Sequence, residues 1–200
     1  MQALSDLADQ MRMLPAAILV ACGFALAGWL RGAVVWLLGV GATFAVVAAL
    51  KLLLLECGRV WTGGALVTPS GHTAAAAVVY GTFVVLAVRS STAHWRPALV
   101  APIAAAILIG MTRLALGVHT LLEAVVGGAV GLAGAYGIVA AAGPPPRRLL
   151  FLASPALLLA ILLFPGRLQA EAQLYRLAGW LGSAGLCRTD SAALPPKPPT

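Results

Sequence analysis

The sequence predicts an all-α, polytopic membrane bundle of about six transmembrane helices. Composition is the first reason: 61% of the 200 residues are hydrophobic, 10% are charged, and the mean hydropathy is +0.97. A soluble domain is roughly half apolar and about a quarter charged. Run length is the second: several nearly uncharged stretches approach or reach the ~20 residues that a helix needs to cross ~30 Å of hydrocarbon. The third is the placing of basic residues, which stand singly between apolar runs instead of forming a patch.

Residues 1–13 read as a short interfacial helix, with Leu4, Leu7, Met11 and Leu14 at helical spacing and Asp6, Asp9 and Arg12 on other faces. Asp6 and Asp9 spoil a basic signal-peptide n-region, and apolar character continues along the chain, so the first run is kept as a membrane segment. Pro15 is expected to open it. Spans fall at about 15–30, 33–55, 72–88, 97–117, 119–142 and 149–165, each bounded by Arg, Pro or Gly. The expected organisation is an interfacial segment at 1–14, a transmembrane domain at 15–165, and a tail at 166–200. In the tail, 168–182 reads as an amphipathic surface helix and the Pro-rich end as disordered. No internal repeat is evident, and abundant Ala and Gly permit close helix packing.

The net charge of +7 and pI near 10.2 would suggest nucleic acid in a soluble protein. Scattered basic residues instead act as topology signals, and no nucleic-acid partner is expected. One set of loops holds Arg31, then Arg89, His94 and Arg96, then Arg147 and Arg148, with no acidic residue. The positive-inside rule places that set in the cytoplasm. The N-terminus, the 56–71 connection, the 113–119 connection and the tail then face outward. Cys22, Cys57 and Cys187 are far apart and odd in number, so no disulfide framework or other role is assigned to them.

Ionisable residues near helix ends in a membrane are costly unless solvated or paired. Lys51, Glu56, Arg59, His72, Arg113, His119 and Glu123 are such residues, and all fall on the outer side. Any one alone reads as a snorkelling anchor or a satisfied interfacial group; their convergence marks a site. In Thr68-Pro69-Ser70-Gly71-His72, Ser70 can cap a helix beginning at Gly71, leaving backbone N–H groups and a positive dipole end as an anion cradle. His72, in the first turn, is placed to deliver a proton to a leaving oxygen. His119 and Glu123, four apart, share one helical face, so the carboxylate can hold the imidazole in its nucleophilic tautomer. His119 is then the candidate to attack phosphorus, with Arg113 neutralising the equatorial oxygens.

These segments resemble the signature of the type-2 phosphatidic-acid phosphatase superfamily, which shares its core with vanadium haloperoxidases. Pro69-Ser70-Gly71-His72 reproduces P-S-G-H, and Arg113 with His119 reproduces the R-x5-H core of S-R-x5-H-x3-D. The resemblance implies a phosphohistidine on His119, His72 as acid to the leaving group, Glu123 orienting His119, and Lys51, Arg59, Ser70, Gly71 and Arg113 binding phosphate. It also implies no metal and no other cofactor, and no zinc- or magnesium-binding motif is present. Three departures stand out. The opening K-x6-R-P is here Lys51 and Arg59, one residue further apart, with Val60 for Pro; Thr112 replaces Ser; Glu123 replaces Asp. Near Gly58 the extra residue is expected to be absorbed where the helix ends.

The function implied is hydrolysis of a lipid phosphomonoester or diphosphate, of the undecaprenyl diphosphate, phosphatidic acid or phosphatidylglycerol phosphate type. The tails remain in the bilayer and the headgroup enters from outside. The compact loops suggest a bacterial inner membrane, with the site facing the periplasm. Two alternatives remain at this level: a lipid phosphotransferase using the same histidine, and an inactive lipid-phosphate-binding protein. A transporter lacks visible broken, repeated spans. Sequence does not specify the oligomeric state.

Overall fold

The computed structural model describes residues 2, 7–63 and 68–163. The expected tail at 166–200, including Cys187, lies outside the described residues, as does most of 1–6. Among the described residues the architecture is all-helical. From Gln10 onward six helices run antiparallel to their chain neighbours: α1 (Gln10–Leu26), α2 (Leu30–Thr62), α3 (Gly71–Ser91), α4 (Arg96–Ala115), α5 (Leu121–Ala142) and α6 (Leu149–Leu163). Within α2, α3, α4 and α5 lie four stretches long and apolar enough to cross a membrane, the one in α2 being Leu30–Leu55. In α1 there are 17 residues, and 15 in the described part of α6.

The helices follow the six expected runs, with instructive differences at their ends. Helix α1 starts at Gln10, so Pro15 lies inside it instead of opening it. Nor does residue 8 lie on a surface: Ala8 is fully buried against Ala76 of α3 and Ile109 of α4. Helix α2 has 33 residues, about 50 Å at 1.5 Å per residue, and outruns a hydrocarbon core of ~30 Å. It stays helical through Thr62, so no helix end absorbs the extra residue between Lys51 and Arg59. In a continuous helix a separation of eight residues turns Arg59 about 80° from the Lys51 direction.

Helix α3 is the hub. It comprises an α turn at Gly71–Ala75, a π segment at Ala76–Gly81 and an α segment at Thr82–Ser91, and it is the most deeply buried of the four long helices. Such π turns occur as single interruptions of α-helices, often near functional sites. The first turn touches α1, α2, α4 and α5. At the opposite end of the bundle, aromatic packing closes the core: Phe24 of α1 lies against Trp29 and Trp36, and the buried Trp36 Nε1 donates to the Ala17 carbonyl at 3.0 Å.

The basic residues of that opposite end do more than mark topology. Arg31 donates through Nε and Nη2 to the Ala141 carbonyl, at 3.1 and 2.9 Å, and Arg89 donates to the Val139 carbonyl at 3.0 Å. Both satisfy terminal carbonyls of α5 and complement the negative end of its dipole. Arg89 also stacks over Trp95, 4.7 Å from the ring centroid.

Candidate active site

The spacing of Arg113 and His119 has a local backbone cause. Helix α4 ends in a Schellman turn: Val118 N–H donates to the Arg113 carbonyl at 3.2 Å and Gly117 N–H to the Leu114 carbonyl at 2.9 Å. Gly117 has φ +67°, the left-handed conformation that the residue after such a helix end requires and that glycine adopts without strain. Four residues after Gly117 α5 begins, with Thr120 as its N-cap. Arg113 and His119 are thereby held on the two sides of one fixed corner.

Glu123 joins this corner to the second motif. Thr120 accepts from the Glu123 N–H at 3.3 Å, while Glu123 Oε2 accepts from the Thr120 N–H at 2.9 Å, a complete capping box. The same oxygen lies 3.1 Å from His119 Nδ1, and Oε1 accepts from the Thr68 N–H at 2.9 Å. Both side chains are shielded, His119 at 5% exposure and Glu123 at 7%. The longer side chain that replaces Asp therefore keeps the imidazole contact and also reaches two backbone donors.

The second motif docks directly on α5. Ser70 N–H donates to the Glu123 carbonyl at 2.9 Å. Ser70 is the N-cap of α3, its Oγ accepting from Thr73 N–H at 3.4 Å and Thr73 Oγ1 at 2.9 Å, as the sequence predicts. Close approach needs a missing side chain on α5: a Cβ on Gly127 would run into the Ser70 carbonyl oxygen. Gly127→Ala is expected to push the start of α3 off α5, costing about 1–3 kcal/mol as overpacking does. Thermal unfolding in detergent and phosphate release should fall together.

His72, in the first turn of α3, has its Nε2 3.9 Å from Asp9 Oδ2. Lys51 is 3% exposed on α2, the helix that packs against that first turn. Arg113 is partly buried with its Nε enclosed, and Thr112, the Ser replacement, donates to the Ile109 carbonyl at 2.7 Å. Arg59 lies in the last turn of α2, and its side chain, like that of Glu56, is outside what the structure describes. Among the described residues no three His, Cys, Asp or Glu side chains group as metal ligands.

Sequence reasoning missed three parts of this end of the bundle. Asp9 was placed only on a face of the interfacial segment. Thr68 contributes through its backbone, which no side-chain pattern reveals. Cys57, given no role from an odd cysteine count, is disulfide-bonded, whereas Cys22 is free.

His119 held by the Glu123 carboxylate at the start of α5, Arg113 in the last turn of α4, and His72 on the capped start of α3 make up the candidate site of this helical bundle. Residues 53–144 match the family model of the PAP2 superfamily, the superfamily whose motifs the sequence resembles. The match begins two residues after Lys51 and contains the other candidate residues. Members of the family are phosphatases acting on phosphate esters, which makes a phosphoric ester hydrolase the supported class. No curated protein and no solved structure matches the chain.

Proposed function

We propose that this protein is a multi-pass membrane enzyme that removes phosphate from a lipid phosphomonoester or diphosphate through a phosphohistidine, without a metal. The observation that carries the reading is the contact of His119 Nδ1 with Glu123 Oε2 at 3.1 Å. A carboxylate there selects the tautomer protonated on Nδ1, which puts the lone pair on Nε2 for in-line attack on phosphorus. Arg113 neutralises the equatorial oxygens as the P–N bond forms. The capped α3 start and Lys51 supply further positive potential, with Arg59 at the end of α2.

His72 gives its proton to the departing ester oxygen, then takes one from the water that hydrolyses the phosphoenzyme. One histidine must be neutral and the other protonated, so a bell-shaped pH profile is expected. The lipid assignment is supported by apolar side chains around the corner: Val118, Leu121, Leu122 and Val125 are all at least 45% exposed. Acyl or prenyl chains can lie against them while the headgroup meets His119. The outward, periplasmic placing in a bacterial inner membrane is supported by the basic loops at the far end. It is also supported by the disulfide of Cys57 near the site end, since disulfides persist in oxidising compartments.

The test is phosphate release by detergent-purified protein from polyprenyl diphosphates, phosphatidic acid and phosphatidylglycerol phosphate, with EDTA throughout. Release unaffected by EDTA is the expected result. Consumption of lipid phosphate only when a second lipid or glycan hydroxyl is supplied would identify a phosphotransferase, and tight vanadate binding with no turnover a binding protein.

A further inference from the structure

Residues 7–13 are fixed against the mouth of the site more firmly than an interfacial segment requires. Tyr80, eight residues after His72 on α3, donates its hydroxyl to the Leu7 carbonyl at 2.7 Å. Ala8 is fully buried against Ala76 and Ile109. The Asp9 carbonyl accepts from the Arg12 and Met13 N–H groups at 3.0 and 2.9 Å, the first turn of α1. The residue at the centre of these anchors presents its carboxylate oxygen 3.9 Å from His72 Nε2, with side-chain exposures of 22% for Asp9 and 16% for His72. The helix that carries His72 therefore also holds the segment that brings Asp9 to it.

We propose that Asp9 is a positioning residue for His72: its carboxylate favours the imidazolium and fixes the ring, so that the proton is in place when the ester oxygen departs. This rests on the phosphatase reading above. At 3.9 Å the contact is one of charge, not a hydrogen bond, so the Nε2 proton is not consumed by Asp9. In the step concerned, His119 Nε2 forms a bond to phosphorus and the P–O ester bond breaks. The ester oxygen keeps the bonding pair and takes the His72 proton, leaving neutral imidazole and a lipid alcohol. Arg12, Lys51, Tyr80, Arg113, His119 and Glu123 are the other charged or titratable groups toward this end of the described bundle, with Glu56 and Arg59 on the last turns of α2. Most of the groups with fixed charge are cations that oppose a protonated His72, which makes a nearby carboxylate consequential.

Leaving-group dependence separates this role from a structural one. A nitrophenolate departs without a proton, whereas a lipid alkoxide needs one. Purified full-length protein, wild type and variants, is assayed for kcat/KM on p-nitrophenyl phosphate and on dioctanoyl phosphatidic acid, with His72→Ala as reference. Asp9→Asn is expected to lower kcat/KM about tenfold on the phosphatidate and less than about twofold on the nitrophenyl ester. Asp9→Glu should recover most of the loss, and Tyr80→Phe should show a smaller effect of the same selectivity. The comparison of two esters is internal to each preparation, so partial misfolding cancels from it. Equal loss on both esters, or no loss, in Asp9→Asn while His72→Ala remains selective overturns the proposal alone. A wild-type protein silent toward both esters and the whole lipid panel overturns the phosphatase reading, and this inference with it.

Discussion

His119→Ala is expected to reduce phosphate release to near the uncatalysed level, a fall in kcat of roughly 10⁴-fold or more, as when a nucleophile is removed. Folding should survive the change. Glu123 retains its two backbone donors, Thr68 and Thr120 at 2.9 Å each, so its carboxylate is not stranded, and the stability cost is expected to be about 1 kcal/mol. The measurement is turnover stopped with alkaline detergent, using labelled lipid phosphate, alongside thermal unfolding. Wild type should trap label on the protein in a base-stable, acid-labile form, and His119→Ala should trap none. Retained labelling in the variant would move the nucleophile elsewhere and remove the central element of the proposed mechanism.

Glu123→Gln is expected to lose about 10²–10⁴-fold in activity and about 1–3 kcal/mol in stability together. The wild-type carboxylate accepts from three donors, two backbone N–H groups and His119 Nδ1. An amide has one oxygen, so either orientation turns an NH2 toward a buried donor. If that NH2 faces His119, the imidazole is drawn to the opposite tautomer, with its lone pair on Nδ1 and a proton where attack should occur. Glu123→Asp keeps the charge but falls about one methylene short, and a smaller loss, around tenfold, is expected. Full activity in Glu123→Gln would show that the pair does not set the tautomer.

The fold was legible because hydropathy is a direct physical record of the solvent each run faces. Runs of about twenty apolar residues favour helices long enough to cross a bilayer; all six runs are helical among the described residues, and four of them are long and apolar enough to span. Helix ends were less legible. Gln10 begins α1 ahead of Pro15, and α2 runs past the point where Gly58 suggested a stop, because neighbours at the ends override local preference. In the candidate site, Ser70, His72, Arg113, His119 and Glu123 stood out in the sequence as side-chain chemistry at fixed spacing, and Gly71 as the start of the capped helix. Asp9 was not, since its place beside His72 depends on contacts across more than sixty residues of sequence. Thr68 was not, since it acts through an N–H that every residue except proline has.

The Schellman corner between Arg113 and His119 also says where this chain can vary in length. Its five intervening residues are all committed: three finish a helix, one glycine reverses the backbone, and one leads into the next cap. An insertion or deletion there would change the angle between two helices as well as the separation of two side chains. The continuous helix joining Lys51 and Arg59 imposes a different arithmetic, in which one added residue keeps the fold and only turns a side chain around the axis. Drift in length is therefore absorbed at the edge of the anion site and excluded at its centre.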